Sequence, residues 1–135
     1  MPQNARAVIA TYYAAFNAND AAGMLALVSD EVEHRVNEGG IRRGRGKFAE
    51  FCSHMGVSYR ERLDPIEIFV NADGTRGAAE FTVHGEYLKT DPGLPEARGQ
   101  RYILPAGAFF DLCDGKITRV TTFYNLADWI AQVSK

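Results

Sequence analysis

The stretch Val32 to Gly40 reads Val-Glu-His-Arg-Val-Asn-Glu-Gly-Gly, an imidazole and a carboxylate set into the alternation of a strand. Side chains two apart share a strand face, which predicts Val32, His34, Val36 and Glu38 on one side. A histidine titrates near neutrality and suits proton transfer. A carboxylate walled by apolar groups is raised toward the same range. His34 and Glu38 therefore read as a candidate acid–base pair lining a pocket. The competing readings are a hydrogen-bonded core histidine and a rim glutamate paired with Arg42 or Arg43. Asn37, beside the glycine turn, is most simply a backbone-capping side chain; donation to a substrate oxygen is its alternative role.

Other chemistries find little support. His34, His54 and His84 lie far apart, with no His-x-x-x-His or paired-cysteine spacing, so no metal is expected. No phosphate-cradling glycine loop or serine elbow occurs, and no cofactor is expected. Cys52 and Cys113 read as reduced, mostly buried thiols. His54 reads as exposed or capping.

The bulk properties bound these readings. A chain of 135 residues is expected to form one domain over residues 1–135. Hydrophobic residues make up 46%, charged residues 24%, and the net charge is −2. No basic stripe points to nucleic acid, and Arg42, Arg43, Arg45 and Lys47, diluted by glycine, read as a solvated turn. No apolar run approaches the roughly 20 residues that span a bilayer. The start of the chain shows no signal-peptide core. A cytoplasmic location without membrane contact is the expectation.

The elements that must position the site follow from periodicity. Val8, Ile9, Tyr12, Tyr13 and Phe16 recur at helical spacing behind an Asn4 cap, and Asp20 caps a second, short helix. A third helix is predicted from Lys47 to Met55, burying Phe51 and Met55. Period-two segments then run from Tyr59 to Val70, interrupted at Pro65, and from Ala78 to Leu88. Others run from Arg98 to Leu112, kinked at Pro105 and Gly107, and from Ile117 to Leu126. Asn71 to Gly74 and Asp114-Gly115 are hairpin turns. Asp128 to Val133 is expected to add a helical turn. Helices first and hairpin-linked strands later argue for an α+β fold with a largely antiparallel sheet. Three helices cover one face of that sheet; the other must be polar or covered by a second copy.

Several stretches carry a resemblance. Tyr12 to Asp20 resembles the first helix of the ketosteroid isomerase family, Phe81 to Tyr87 its central strand, and Ala108 to Lys116 its last hairpin. Val36 to Gly40, Gly93 to Tyr102 and Leu104 to Phe110 are similar to a ketosteroid isomerase-related group. That group belongs to the SnoaL-like branch of the nuclear transport factor 2-like superfamily. The resemblance implies a curved sheet wrapped around helices as a cone with a mostly apolar pocket. It also implies a homodimer through the outer sheet face, where His84 would point.

It implies site residues too. Family isomerases use a tyrosine of the first helix and a neutral aspartic acid as donors, and an aspartate of the first strand as proton shuttle. The tyrosine falls on Tyr12, which is otherwise a core aromatic. The two acids fall on Val36 and Ala108, which carry no proton, so the standard acid–base pair is absent. Parity places Arg98, Gln100 and Tyr102 with Ala108 and Phe110, reaching the pocket mouth; Arg98 alternatively pairs with Glu96 or Asp91. Val83, Gly85, Thr122 and Tyr124 should also line the pocket, with Gly85 widening it. The limonene epoxide hydrolase arrangement lacks its acid here.

Three functions remain open. The first is proton transfer on a small, mostly apolar carbonyl compound, of isomerase type or as SnoaL-type ring closure, with Tyr12, His34 and Glu38 as catalytic residues. The second is a non-catalytic binder of a small hydrophobic molecule. The third is an interaction domain acting through its sheet face.

Overall fold

The computed structural model describes residues 4–135. Helix α1 (Ala5–Asn17) opens where the Asn4 side chain accepts the Arg6 amide at 2.8 Å, satisfying a donor that the helix itself leaves free. Its buried stripe is Val8, Ile9, Tyr12 and Tyr13. Asp20 caps α2 (Ala21–Leu25) by accepting from the Gly23 amide at 2.9 Å. Strands β1 (Val28–Val36) and β2 (Arg42–Arg43) and helix α3 (Arg45–Ser58) follow. Then come β3 (Tyr59–Val70), β4 (Arg76–Tyr87), β5 (Gln100–Cys113), β6 (Lys116–Tyr124) and helix α4 (Leu126–Val133).

The strands form one six-stranded sheet in the order β2-β1-β6-β5-β4-β3. The sheet is mixed. β1 runs parallel to β6, whereas the other neighbours are antiparallel. The single parallel contact arises because β1 is reached from the helices and can meet β6 only after the long return through the hairpins. The curved, unclosed sheet wraps around the helices, and its concave face carries the core.

Three details depart from the sequence expectations. α3 begins at Arg45 and continues to Ser58, whose carbonyl then accepts the Leu88 and Lys89 amides. The last helix is eight residues, starting at Leu126 behind an Asn125 cap. It persists because Trp129 and Val133 are buried against the sheet. β5 runs on past the end of β6, whose pairing stops at Ala106. Gln132 of α4 closes that bare edge, accepting from the Ile103 amide at 3.0 Å and donating to its carbonyl at 2.9 Å. Pro105 sits just outside the β6 pairing, where a missing N–H is tolerated, so β5 stays in register with β4 and keeps one parity throughout. Pro65 instead coincides with a register shift between Leu63 and Ile66. Asn17 clamps that irregularity to α1 through both its amide nitrogen and its oxygen, at 2.9 Å each to the Leu63 backbone.

The outer face exposes Phe69, Ile103, Phe109 and Phe123. Phe109 and Phe123 meet edge to face at 5.9 Å between ring centres. No helix among the described residues is long and apolar enough to cross a membrane.

Candidate functional site

A cavity of about 610 Å³ lies between the helices and the concave sheet face. That volume suits a small organic molecule. α1 presents Tyr12, Tyr13 and Phe16 to it, α3 presents Phe51, Cys52 and Met55, and the sheet presents His34, Glu61, Val83, Thr122 and Tyr124. The walls are mostly aromatic and aliphatic, so the few polar groups on them stand out.

Tyr12 is almost fully buried, stacked on Phe48 and set edge-on to Phe110. Burial raises its phenol well above the ordinary tyrosine range, with smaller contributions from Tyr13 and Cys52. Tyr13 is raised by burial as well. Both are held as neutral hydrogen-bond donors. Cys52 is pushed up to about 11 by burial and stays a thiol; Cys113, against expectation, is exposed because it closes β5 at the turn into β6.

His34 is 3% exposed and lies between the rings of Phe48 and Phe51, at 4.9 and 4.4 Å. Its Nδ1 is buried without a hydrogen-bond partner. Burial, and secondarily the Arg42 guanidinium, lower its pKa from 6.5 to about 4. The imidazole is therefore neutral at physiological pH. The unfolded chain binds a proton here near pH 6.5 and the folded chain only near pH 4. This contribution to stability is full above pH 6.5 and is lost as the pH falls toward 4. We expect acidification across that window to cost up to about 3 kcal/mol at this site. Urea unfolding of the parent and of His34→Leu checks this: the parent's stability relative to the variant should fall by about that amount from pH 7 to pH 4.5.

The other sequence-predicted residues divide plainly. Phe51, Met55, Val83, Thr122 and Tyr124 line the cavity. Glu38 does not: Asn37 adopts φ 53°, the strand ends at Val36, and Glu38 swings out, exposed, toward the groove on the outer face. Asn37 is a backbone clasp, its Oδ1 accepting from the Tyr124 amide at 2.8 Å and its own amide donating to the Thr122 carbonyl at 2.7 Å. Arg98 donates to the Lys135 carbonyl at 2.7 Å, and Gln100 donates to the Glu96 and Val133 carbonyls. Both staple the loop before β5 to the end of α4, away from the cavity. Ala108 and Phe110 are buried in the core below it. Gly85 does not widen the cavity, because the ring of Tyr102 occupies the space a side chain would take.

That packing exposes a residue the sequence reading passed over. Glu61 of β3 faces inward between Tyr59 and Leu63 and lines the cavity. In register, Glu61 sits opposite Gly85 on β4, and Gly85 opposite Tyr102 on β5. With no side chain on the middle strand, Tyr102 reaches across it and donates to Glu61 Oε2 at 2.6 Å. Burial raises the Glu61 carboxyl above its ordinary range, while the Tyr102 hydrogen bond pulls the other way. The signal was present: Tyr59 and Leu63 are apolar at the same parity as Glu61. At the mouth, Tyr59 donates to Asp91 Oδ2 at 2.7 Å, and His54 Nε2 lies 3.1 Å from Asp91 Oδ1. His84 points outward to the Asp64 carbonyl at 2.9 Å. No group of metal-ligating side chains forms among the described residues.

Comparison with known proteins agrees with this architecture. The chain resembles the crystal structure of a proposed polyketide cyclase from Silicibacter sp. TM1040 at 61% identity and TM-score 0.95, covering 98% of this chain and 97% of that one. A second proposed polyketide cyclase, from Pseudomonas putida KT2440, matches at 54% identity and TM-score 0.96, over 97% and 98%. An LEH-like epoxide hydrolase of Mycobacterium tuberculosis shares the fold at 17% identity and TM-score 0.71, over 96% and 89%. A search of curated proteins gives no match. The SnoaL-like domain family matches residues 9–120. The chain is thus a member of the SnoaL-like family, with the cone fold of the nuclear transport factor 2-like superfamily.

Proposed function

We propose that the protein is an acid–base enzyme that removes a proton next to the carbonyl of a small, mostly apolar compound. The observation carrying this reading is that Tyr12, a neutral phenol, and His34, a neutral imidazole, share one apolar cavity. Enolisation places negative charge on the carbonyl oxygen, and a fixed donor in a dry site stabilises that charge far better than water does. The same first step serves double-bond isomerisation and ring closure; the polyketide cyclase resemblance supports ring closure as the outcome. Of the two proton carriers expected from the sequence, only His34 lines the cavity.

The test is keto–enol conversion of 1-phenylbutane-1,3-dione and related aryl and alkyl 1,3-diketones, followed by loss of enol absorbance. Acceleration over buffer that Tyr12→Phe removes supports the reading. Tight binding without acceleration by any of them replaces it with a sequestering function.

We also propose a homodimer through the outer sheet face, supported by the exposed Phe69, Ile103, Phe109 and Phe123. An apolar patch of this kind on one face is characteristic of an interaction surface. Phe109→Asp is expected to halve the mass seen by sedimentation equilibrium; a parent that is already monomeric refutes it.

A further inference from the structure

We propose that Glu61 is the catalytic base of this cavity and that Tyr102, reaching it over Gly85, is its positioning residue; this rests on the reading that the cavity enolises a carbonyl compound. Three observations carry it. Glu61 lines the cavity on the concave face of β3. Its Oε2 is fixed by the Tyr102 hydroxyl at 2.6 Å, leaving the other oxygen for a ligand. Tyr102 itself is 2% exposed and edge-on to Trp129 at 5.9 Å, so the donor cannot drift.

The arrangement suits proton transfer better than a structural pair does. A carboxylate that served the fold alone would be satisfied on both oxygens or turned to solvent. Here a carboxyl is held on one side by a neutral donor and faces an apolar hollow on the other. His34 is a weak base, since its imidazole takes up a proton only near pH 4, and catalytic efficiency follows basicity near the working pH. Burial moves Glu61 upward, toward that range.

The step balances without a co-reactant. The carbon–hydrogen bond beside the carbonyl breaks, its proton goes to Glu61, and its electron pair becomes the enolate. The enolate oxygen is received by Tyr12. Glu61 then returns the proton to another carbon, or to the alkoxide left when the enolate carbon attacks a second carbonyl. The titratable groups around Glu61 are Tyr59 on its own strand, Tyr102 from β5, Tyr124 from β6, and Asp91 with His54 at the mouth.

The experiment uses the full chain and the 1-phenylbutane-1,3-dione assay. Glu61→Gln is expected to lower kcat by roughly 10²–10⁴-fold, with KM changed only a few-fold and the melting temperature preserved. Activity of the parent rises with pH as Glu61 loses its proton. Tyr102→Phe removes a hydrogen bond that lowers the Glu61 pKa, so the acid limb of its kcat/KM profile moves to higher pH. That displacement is the readout should Glu61→Gln fold poorly. Full activity in Glu61→Gln, with Tyr12→Phe inactive, overturns the assignment and leaves the proposed function standing. An acid limb that stays put in Tyr102→Phe overturns it as well. No acceleration by the parent overturns both.

Discussion

Tyr12→Phe is expected to fold as well as the parent and to turn over roughly 10²–10³-fold more slowly, the loss typical of one oxyanion donor. The two halves of this expectation have one cause. Tyr12 is packed by its ring, against Phe48, Tyr13 and Phe110, and phenylalanine keeps every one of those contacts. Its hydroxyl opens on the cavity, and no protein hydrogen bond of this group occurs among the described residues. Removing it therefore strands no partner, and the stability change should stay within about 1 kcal/mol. A phenol raised by burial cannot ionise at working pH, so its only service is donation, and that service grows as the carbonyl oxygen gains charge. The loss should fall on kcat and kcat/KM together, since the bond strengthens in the transition state. Steady-state kinetics and thermal unfolding of the same sample check both halves. A variant that loses stability and activity in step would mean that Tyr12 is only a core aromatic.

The fold was largely legible because its signals are local. The stripe of α1, the caps at Asn4 and Asp20, and the turn at Asp114 and Gly115, both at positive φ, each follow from a few neighbouring residues. The site was legible only where parity held. Parity places His34, Val83, Thr122 and Tyr124 correctly because each lies inside a regular strand. It fails at Glu38 because Asn37 turns left-handed one residue earlier, and at Arg98 because Gly99, at φ 79°, breaks the alternation before β5 begins. Glu61 was hidden for a different reason. What makes it notable is the line Glu61, Gly85, Tyr102 across three strands, and strand register between segments so far apart is not written in any one of them. Taken singly, the glycine reads as empty space, when it is the passage for a ring.

That passage predicts the largest effect on the fold. Gly85→Val is expected to destabilise the protein by about 3–5 kcal/mol, combining overpacking of the core with the loss of a hydrogen bond to a part-buried carboxyl. A side-chain carbon at Gly85 would lie 2.3 Å from two carbons of the Tyr102 ring and 2.5 Å from its oxygen, far inside contact distance. The ring has no room to retreat, being buried beneath Trp129, which also meets Tyr87 at 4.9 Å. If the tyrosine is expelled, Glu61 loses its donor and the α4 seat is disturbed together. The conflict is pairwise, so it should vanish when the ring is removed. Tyr102→Ala in the Gly85→Val background should recover stability relative to Gly85→Val alone, although Tyr102→Ala by itself leaves a cavity and costs several kcal/mol in the parent. Chemical denaturation of the four proteins measures the coupling. Additive losses would show that the ring and the glycine do not compete for one space, and the positioning of Glu61 by Tyr102 would lose its structural basis.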